Sequence, residues 1–162
     1  MKTLEIFGDN YFGKWDKTRT ACRGLVIKDD EILISYETKT KQYMIPGGGL
    51  EDETLEECCK REIEEETGLI VKPLECVLEI DEYYDDFKWV NKYFICEYVS
   101  EGVKHLTDKE IEVGMEPRWI KINEIIDIFS KHNDYRDIDE MRRGMYLREY
   151  TALTEIIKNY TF

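Results

Sequence analysis

The alternation of apolar and polar positions predicts most of the elements of the chain. Residues 20–28 and 31–37 are two apolar runs joined by Asp29-Asp30, the pattern of a β-hairpin. Residues 38–45 continue as loop and short strand into Pro46-Gly47-Gly48-Gly49, which breaks regular structure. A helix is predicted over 54–67, stopped by Gly68 where a C-cap glycine belongs. Segments 70–80 and 87–99 are rich in Val, Ile, Tyr, Phe and Trp and read as strands. A polar loop over 100–116 leads to a further strand at 118–122. Asn123 is placed to cap a helix over 124–131, and Asp137 or Asp139 to start a last helix ending near Tyr160. On that last helix Met141, Met145, Tyr146, Leu153 and Ile157 form a packing stripe to which no chemistry is assigned. Strands interspersed with helices predict an α/β sandwich with a mixed sheet, whose strand order the pattern does not reveal.

The helix over 54–67 departs from ordinary amphipathic design. At 100° per residue measured from Glu62, Leu55 falls near about +20°, Cys59 near +60°, Ile63 near +100° and Cys58 near −40°. Those residues make the apolar stripe that faces the protein body. Glu62 and Glu66 lie within it, at about 0° and +40°, with Glu65 on its flank at about −60°. Carboxylates aimed at a core need compensation, because an unpaired buried charge is very costly. Lys60 points to the far side and Arg61 sits beyond Glu65, so neither neutralises all three. Clustered oxygen ligands without histidine or cysteine suit magnesium or manganese. Glu56, Glu57 and Glu64 point outward as a solvated face.

Composition narrows the reading further. With 162 residues, 42% of them hydrophobic, the chain is expected to form one packed domain over 1–162. The N-terminal run MKTLEIFGDN becomes polar too early for a secretory signal, so a soluble, cytoplasmic protein without membrane association is expected. Five scattered cysteines and two histidines favour neither a zinc site nor a disulfide framework; the cysteines read as small core residues. A formal net charge of −13 argues against a nucleic-acid surface. An acidic protein acting on phosphates must bring positive charge to the site locally, as a bound divalent cation would.

The stretch from Pro46 to Leu69 resembles the Nudix box: a glycine, five residues, a glutamate, seven residues, then Arg-Glu, an aliphatic, any residue, Glu-Glu, any residue, glycine and an aliphatic. Gly47, Glu53, Arg61, Glu62, Ile63, Glu65, Glu66, Gly68 and Leu69 stand at those spacings. The run PGGGLEDE departs in one place, with Asp52 where the family often has glycine and a turn one residue shorter. The resemblance implies a MutT-like Nudix hydrolase with an α/β/α sandwich, its subfamily unassigned. It implies magnesium or manganese on Glu62, Glu65 and Glu66, with the Gly47 or Gly48 carbonyl as a further ligand. Arg61 and Glu53 would orient the carboxylates from behind, and the glycines would let metal and phosphate approach the backbone.

The implied reaction is attack of water on phosphorus in a diphosphate bridge, in a nucleoside diphosphate-linked compound or a nucleoside triphosphate. A general base is needed. Glu65 is the candidate in the box; Glu110, Glu112 and Glu116 are the loop candidates, of which Glu112 is favoured. Arg23 interrupts the face made by Ala21, Leu25 and Ile27, and either meets a substrate phosphate or pairs with an inward carboxylate. Trp15, Tyr43, Tyr83, Tyr84 and Trp89 are available to stack on a base or to pack. ADP-ribose hydrolases of the family often carry a proline about sixteen residues past the box; here that region reads Tyr83-Tyr84-Asp85-Asp86. Family resemblance also implies a homodimer. The rival function is a non-catalytic Nudix-fold nucleotide or sugar-nucleotide sensor, against which the complete set of box carboxylates speaks.

Overall fold

The computed structural model describes residues 1–162. Strand β1 (Lys2–Phe7) is followed by the hairpin of β2 (Lys17–Lys28) and β3 (Glu31–Glu37). Asp29 at its tip adopts φ 56°, the left-handed conformation that a tight turn demands. Short strands β4 (Gln42–Met44) and β5 (Gly47–Gly49) lead to helix α1 (Leu55–Thr67). The long strands β6 (Leu69–Tyr84) and β7 (Phe87–Glu101) come next, then α2 (Asp108–Val113), β8 (Met115–Lys121) and α3 (Ile122–Ser130). A 3-10 turn, Lys131–Tyr135, precedes the last helix, α4 (Glu140–Asn159).

The strands form a mixed sheet in the order β1-β6-β7-β2-β3-β4, with β5 added to β2 and β8 to β3. Strand β1 runs parallel to β6 and β2 parallel to β7, while β6 and β7 are antiparallel. The β2–β3 hairpin is paired only at its tip, Ile27 with Ile32 and Lys28 with Glu31. Beyond the tip β2 and β3 part, β2 pairing with β5 and β3 with β4 and β8. That parting opens the space which α1 and the glycine strand share.

Side-chain alternation divides the core into two layers. Cys22, Val26, Leu33, Phe94 and Cys96 pack with Cys58, Cys59 and Ile63 of α1. Leu25, Ile32, Ile34, Tyr93 and Ile80 pack with α3 and α4 through Ile125, Phe129, Tyr146, Leu153 and Ile156. The result is an α/β/α sandwich with a mixed sheet, as the family resemblance implies. All five cysteines are free thiols, and all but Cys76 are buried. No helix is long and apolar enough to cross a membrane.

Several elements differ from expectation. Strand β1 was not predicted, because only Leu4 and Ile6 turn toward the core and the rest of its side chains are exposed. The expected loop over 100–116 contains α2, whose capping box is formed by Thr107 and Glu110. Helix α3 begins at Ile122 directly from β8, without a side-chain cap, so Asn123 lies inside it. Asp139, rather than Asp137, caps α4, accepting from the Arg142 amide. Met141 is solvent-exposed and not part of the α4 stripe, whose buried residues instead include Arg148 and Glu149.

Candidate active site

Helix α1 is pinned at both ends. The Thr54 hydroxyl accepts from the Glu57 amide at 3.2 Å while the Glu57 carboxylate accepts from the Thr54 amide at 2.8 Å. At the other end Gly68 is left-handed, φ 76°, and its N–H reaches the Glu64 carbonyl. With the rotation of the helix fixed, Cys58, Cys59, Ile63, Glu66 and Thr67 are buried against the sheet.

Glu66 is the deepest carboxylate of α1, 6% exposed. Its Oε2 accepts from Ser35 Oγ at 2.9 Å and from the Gly47 amide at 3.2 Å. Burial pushes its pKa up to about 8 despite those donors. Glu62 is likewise raised by burial, with Arg61 pulling the other way. Glu65 is the most open of the three. It borders a hollow of about 370 Å³ lined by Glu53, Glu57, Lys60, Arg61, Glu64, Glu65 and His105, with no apolar side chain.

Arg61 gathers the other carboxylates. Its Nη1 donates to Glu62 Oε1 at 2.7 Å and to Glu65 Oε2 at 3.3 Å. Its Nε donates to Glu53 Oε2 at 3.0 Å, and Nη2 donates to Glu53 Oε1 and to the Gly49 carbonyl, the latter at 3.1 Å. Arg61 in turn holds the Glu53 carboxyl below its ordinary pKa. Glu66 receives no contact from Arg61, so the deepest carboxyl of α1 lacks a cationic partner.

The glycine strand fits this helix closely. A Cβ on Gly48 would crowd the Glu62 carboxylate, lying 2.8 Å from its farther oxygen and nearer still to the other. A Cβ on Gly47, at φ 154°, would strike the Cys22 carbonyl and lie 2.7 Å from the Arg23 Cα. Absence of side chains therefore brings Gly47 and Gly48 flush against both β2 and α1.

The carboxylates are not already closed around one point: no group of three or more His, Cys, Asp or Glu side chains forms a ready cage. Glu66 is turned to Ser35 and Gly47, while Glu62 and Glu65 are turned to Arg61. The donor set nevertheless fits a divalent cation. It consists of hard oxygens, two of its carboxyls are destabilised by burial, and the loop backbone lies alongside without side chains.

Arg23 lies in β2 opposite Gly47 and Tyr93. It pairs with no carboxylate; its Nε donates to Asn91 Oδ1 at 3.1 Å and its Nη1 to the Ile45 carbonyl at 3.3 Å. Its charge still bears on Glu66, favouring the ionised form. Glu112 is exposed on α2, whereas the charge of Glu110 bears on both Glu62 and Glu66. Glu116 is occupied in an exposed ion pair with Arg118 at 2.8 Å.

The aromatic candidates separate. Tyr83 and Trp15 pack together with Phe7 and Tyr11, Tyr43 packs on Tyr36, and Tyr84 lies against Gly8 and Gly144. Trp89 stacks on Phe87 with centroids 4.5 Å apart. Arg19, which sequence reasoning missed, lies over Trp89, its guanidinium carbon 5.7 Å from the ring centroid, and against Gly49. Ser35 was also missed, although a serine in the apolar run EILISYE is a visible break in pattern. His105, whose amide donates to the Glu65 carbonyl at 2.8 Å, gave no sequence signal of this kind.

A family model described as NUDIX domain matches residues 17–141. No curated protein sequence matches the chain. Among solved structures, a NUDIX hydrolase from Nitrosomonas europaea aligns with TM-score 0.57 and 19% identity, over 83% of this chain and 88% of the other. The MutT protein from Methanosarcina mazei Go1 aligns with TM-score 0.57 and 16% identity, over 92% of this chain and 99% of its own. A UDP-X diphosphatase aligns with TM-score 0.55 and 17% identity, over 67% of this chain and 53% of the other. At these identities the likeness is one of fold.

Proposed function

This chain belongs to the Nudix family of pyrophosphohydrolases, and we propose that it cleaves the phosphoanhydride bond of a nucleoside diphosphate-linked compound or nucleoside triphosphate, with magnesium or manganese held by Glu62, Glu65 and Glu66. The observation that carries this reading is Glu66: a buried carboxyl with its pKa pushed up to about 8, facing the glycine strand and unpaired with any cation. A structural helix gains nothing from such a group, whereas a cation site needs one. A divalent cation bound there lowers the pKa of water and neutralises phosphate charge.

The chain's own groups prepare the site. Ser35 and the Gly47 amide fix Glu66, and Arg61, held by Glu53, fixes Glu62 and Glu65. Glu65, open to the polar hollow, takes the proton from the attacking water. Of the loop glutamates we favour Glu110, whose charge bears on Glu62 and Glu66, over the exposed Glu112. Gly47 and Gly48 let the loop backbone lie flush against β2 and the Glu62 carboxylate. Arg19 has no carboxylate partner and lies over Trp89, which suits an anionic substrate carrying a flat ring. Arg23, bonded to the Ile45 carbonyl, adds positive charge from behind the loop.

The test is a panel of nucleoside triphosphates, dinucleoside polyphosphates, nucleotide sugars and ADP-ribose, incubated with magnesium or manganese and separated for products. Turnover of at least one, abolished by chelation and reduced 100-fold or more in Glu65→Gln and Glu66→Gln, is expected. No turnover on any compound would leave the nucleotide sensor as the better reading. Full activity in both variants would overturn the ligand assignment.

A further inference from the structure

A buried polar cluster outside the carboxylate helix lies between the sheet and α4. Glu149 is fully buried. Its Oε1 accepts from Tyr93 Oη at 2.8 Å and from Arg148 Nε at 2.9 Å, and its Oε2 accepts from the Ile45 amide at 2.7 Å. Arg148 Nη1 reaches Glu82 Oε2 at 3.3 Å, and Asn91 Nδ2 donates to the same oxygen at 2.9 Å. Asn91 Oδ1 accepts from Arg23, which also donates to the Ile45 carbonyl. The chain of bonds therefore leaves the Ile45 N–H and returns to the Ile45 C=O.

Ile45 directly precedes Pro46-Gly47-Gly48. The Pro46 carbonyl accepts from the Gly24 amide at 3.0 Å, and the Gly47 amide donates to Glu66. Each peptide entering the glycine strand is thus held, with buried carboxylates reaching it from both helical layers: Glu149 from α4 and Glu66 from α1. Buried ion pairs give little net stability relative to apolar packing, so stability alone is a poor reason for this circuit. Fixing the orientation of one peptide is what its geometry accomplishes.

We propose that Glu149, locked by Arg148 and Tyr93, is a positioning residue for the glycine strand, setting where Gly47 and Gly48 lie against Glu62 and Glu66. The consequence for cation binding rests on the reading given under Proposed function; the control of the strand by α4 does not. A neutral amide cannot replace Glu149, because donors face both of its oxygens. In Glu149→Gln the NH2 must oppose either the Ile45 N–H or the Tyr93 and Arg148 donors.

The experiment compares wild type, Glu149→Gln and Leu153→Ala at a temperature where all are folded. Leu153 is buried on the same helix and serves as a packing control. Amide hydrogen exchange at Ile45, Gly47 and Gly48 is followed by NMR, and manganese affinity by water proton relaxation. Glu149→Gln is expected to speed exchange at Ile45 and Gly47 tenfold or more and to weaken manganese binding about tenfold, as loss of an outer positioning group does. Leu153→Ala is expected to lower the melting temperature with neither effect. Equal loop exchange in the two variants would overturn the proposal. Faster loop exchange in Glu149→Gln alone supports it even if wild type binds no manganese, an outcome that would instead refute the hydrolase reading. Should Glu149→Gln not fold, Arg148→Lys, which keeps the charge but cannot bridge Glu149 to Glu82, carries the same expectations.

Discussion

Replacing Gly48 with alanine separates stability from function at this site. The added methyl would lie 2.8 Å from the farther Glu62 carboxylate oxygen and closer to the nearer one. An ordinary contact needs about 3.5 Å, so the carboxylate must retreat by on the order of 1 Å. The obstacle is the far end of a flexible side chain, and the backbone can stay in place. The main folding cost is the Arg61–Glu62 hydrogen bond, now 2.7 Å. A charge-assisted bond contributes about 1.5–3 kcal/mol, but both side chains keep some contact with water, which reduces the expected loss to about 1 kcal/mol. Activity responds differently, because a displacement of about 1 Å in a ligand costs on the order of 100-fold in rate. Gly47→Ala meets the Cys22 carbonyl and the Arg23 backbone instead, at φ 154°, and is expected to lose several kcal/mol of stability, roughly as large unrelievable clashes do. Denaturant melts and steady-state kinetics on the two variants make the comparison. Wild-type turnover in Gly48→Ala, or a stability loss as great as that of Gly47→Ala, would refute the reasoning.

Two further predictions follow from the charges. Burial raises the pKa of Glu66 in the folded state to about 8, well above the ordinary carboxylate range, so its stabilising contribution is complete below the unfolded value and is lost as pH rises through about 8. Cation-free protein should therefore lose on the order of a few kcal/mol between pH 5 and 9 in urea melts, while Glu66→Gln shows a flatter profile; identical profiles would contradict the assignment. Glu110→Gln is expected to lower kcat at least tenfold and Glu112→Gln to leave it within twofold, since the Glu110 charge bears on Glu62 and Glu66 while Glu112 is exposed. The reverse order in stopped assays at saturating substrate would return the role to Glu112.

What was legible in the sequence was local. Thr54, Glu57 and Gly68 lie within one helix and mark its ends, and the 3.6-residue period alone puts Glu66 on its apolar side. Strand β1 has too few core-facing residues to announce itself, and its partner β6 lies far along the chain. Glu110 and Glu112 could not be told apart while α2 was read as a loop; in a helix two positions are about 200° apart, and Glu110 caps its start. The bonds of Glu149 to Tyr93 and Ile45 join residues 56 and 104 positions apart, so no local pattern reveals them. Arg19 escaped notice because its neighbours, Trp89 and Gly49, come from separate strands.

Manganese binding to the unliganded protein, titrated by electron paramagnetic resonance in wild type and Glu66→Gln, tests the central assignment most directly. Saturable binding in wild type, weakened at least tenfold in the variant, is the predicted result. No saturable binding in wild type, or equal affinity in the two proteins, would contradict the claim that the buried carboxylate of α1 holds the cation.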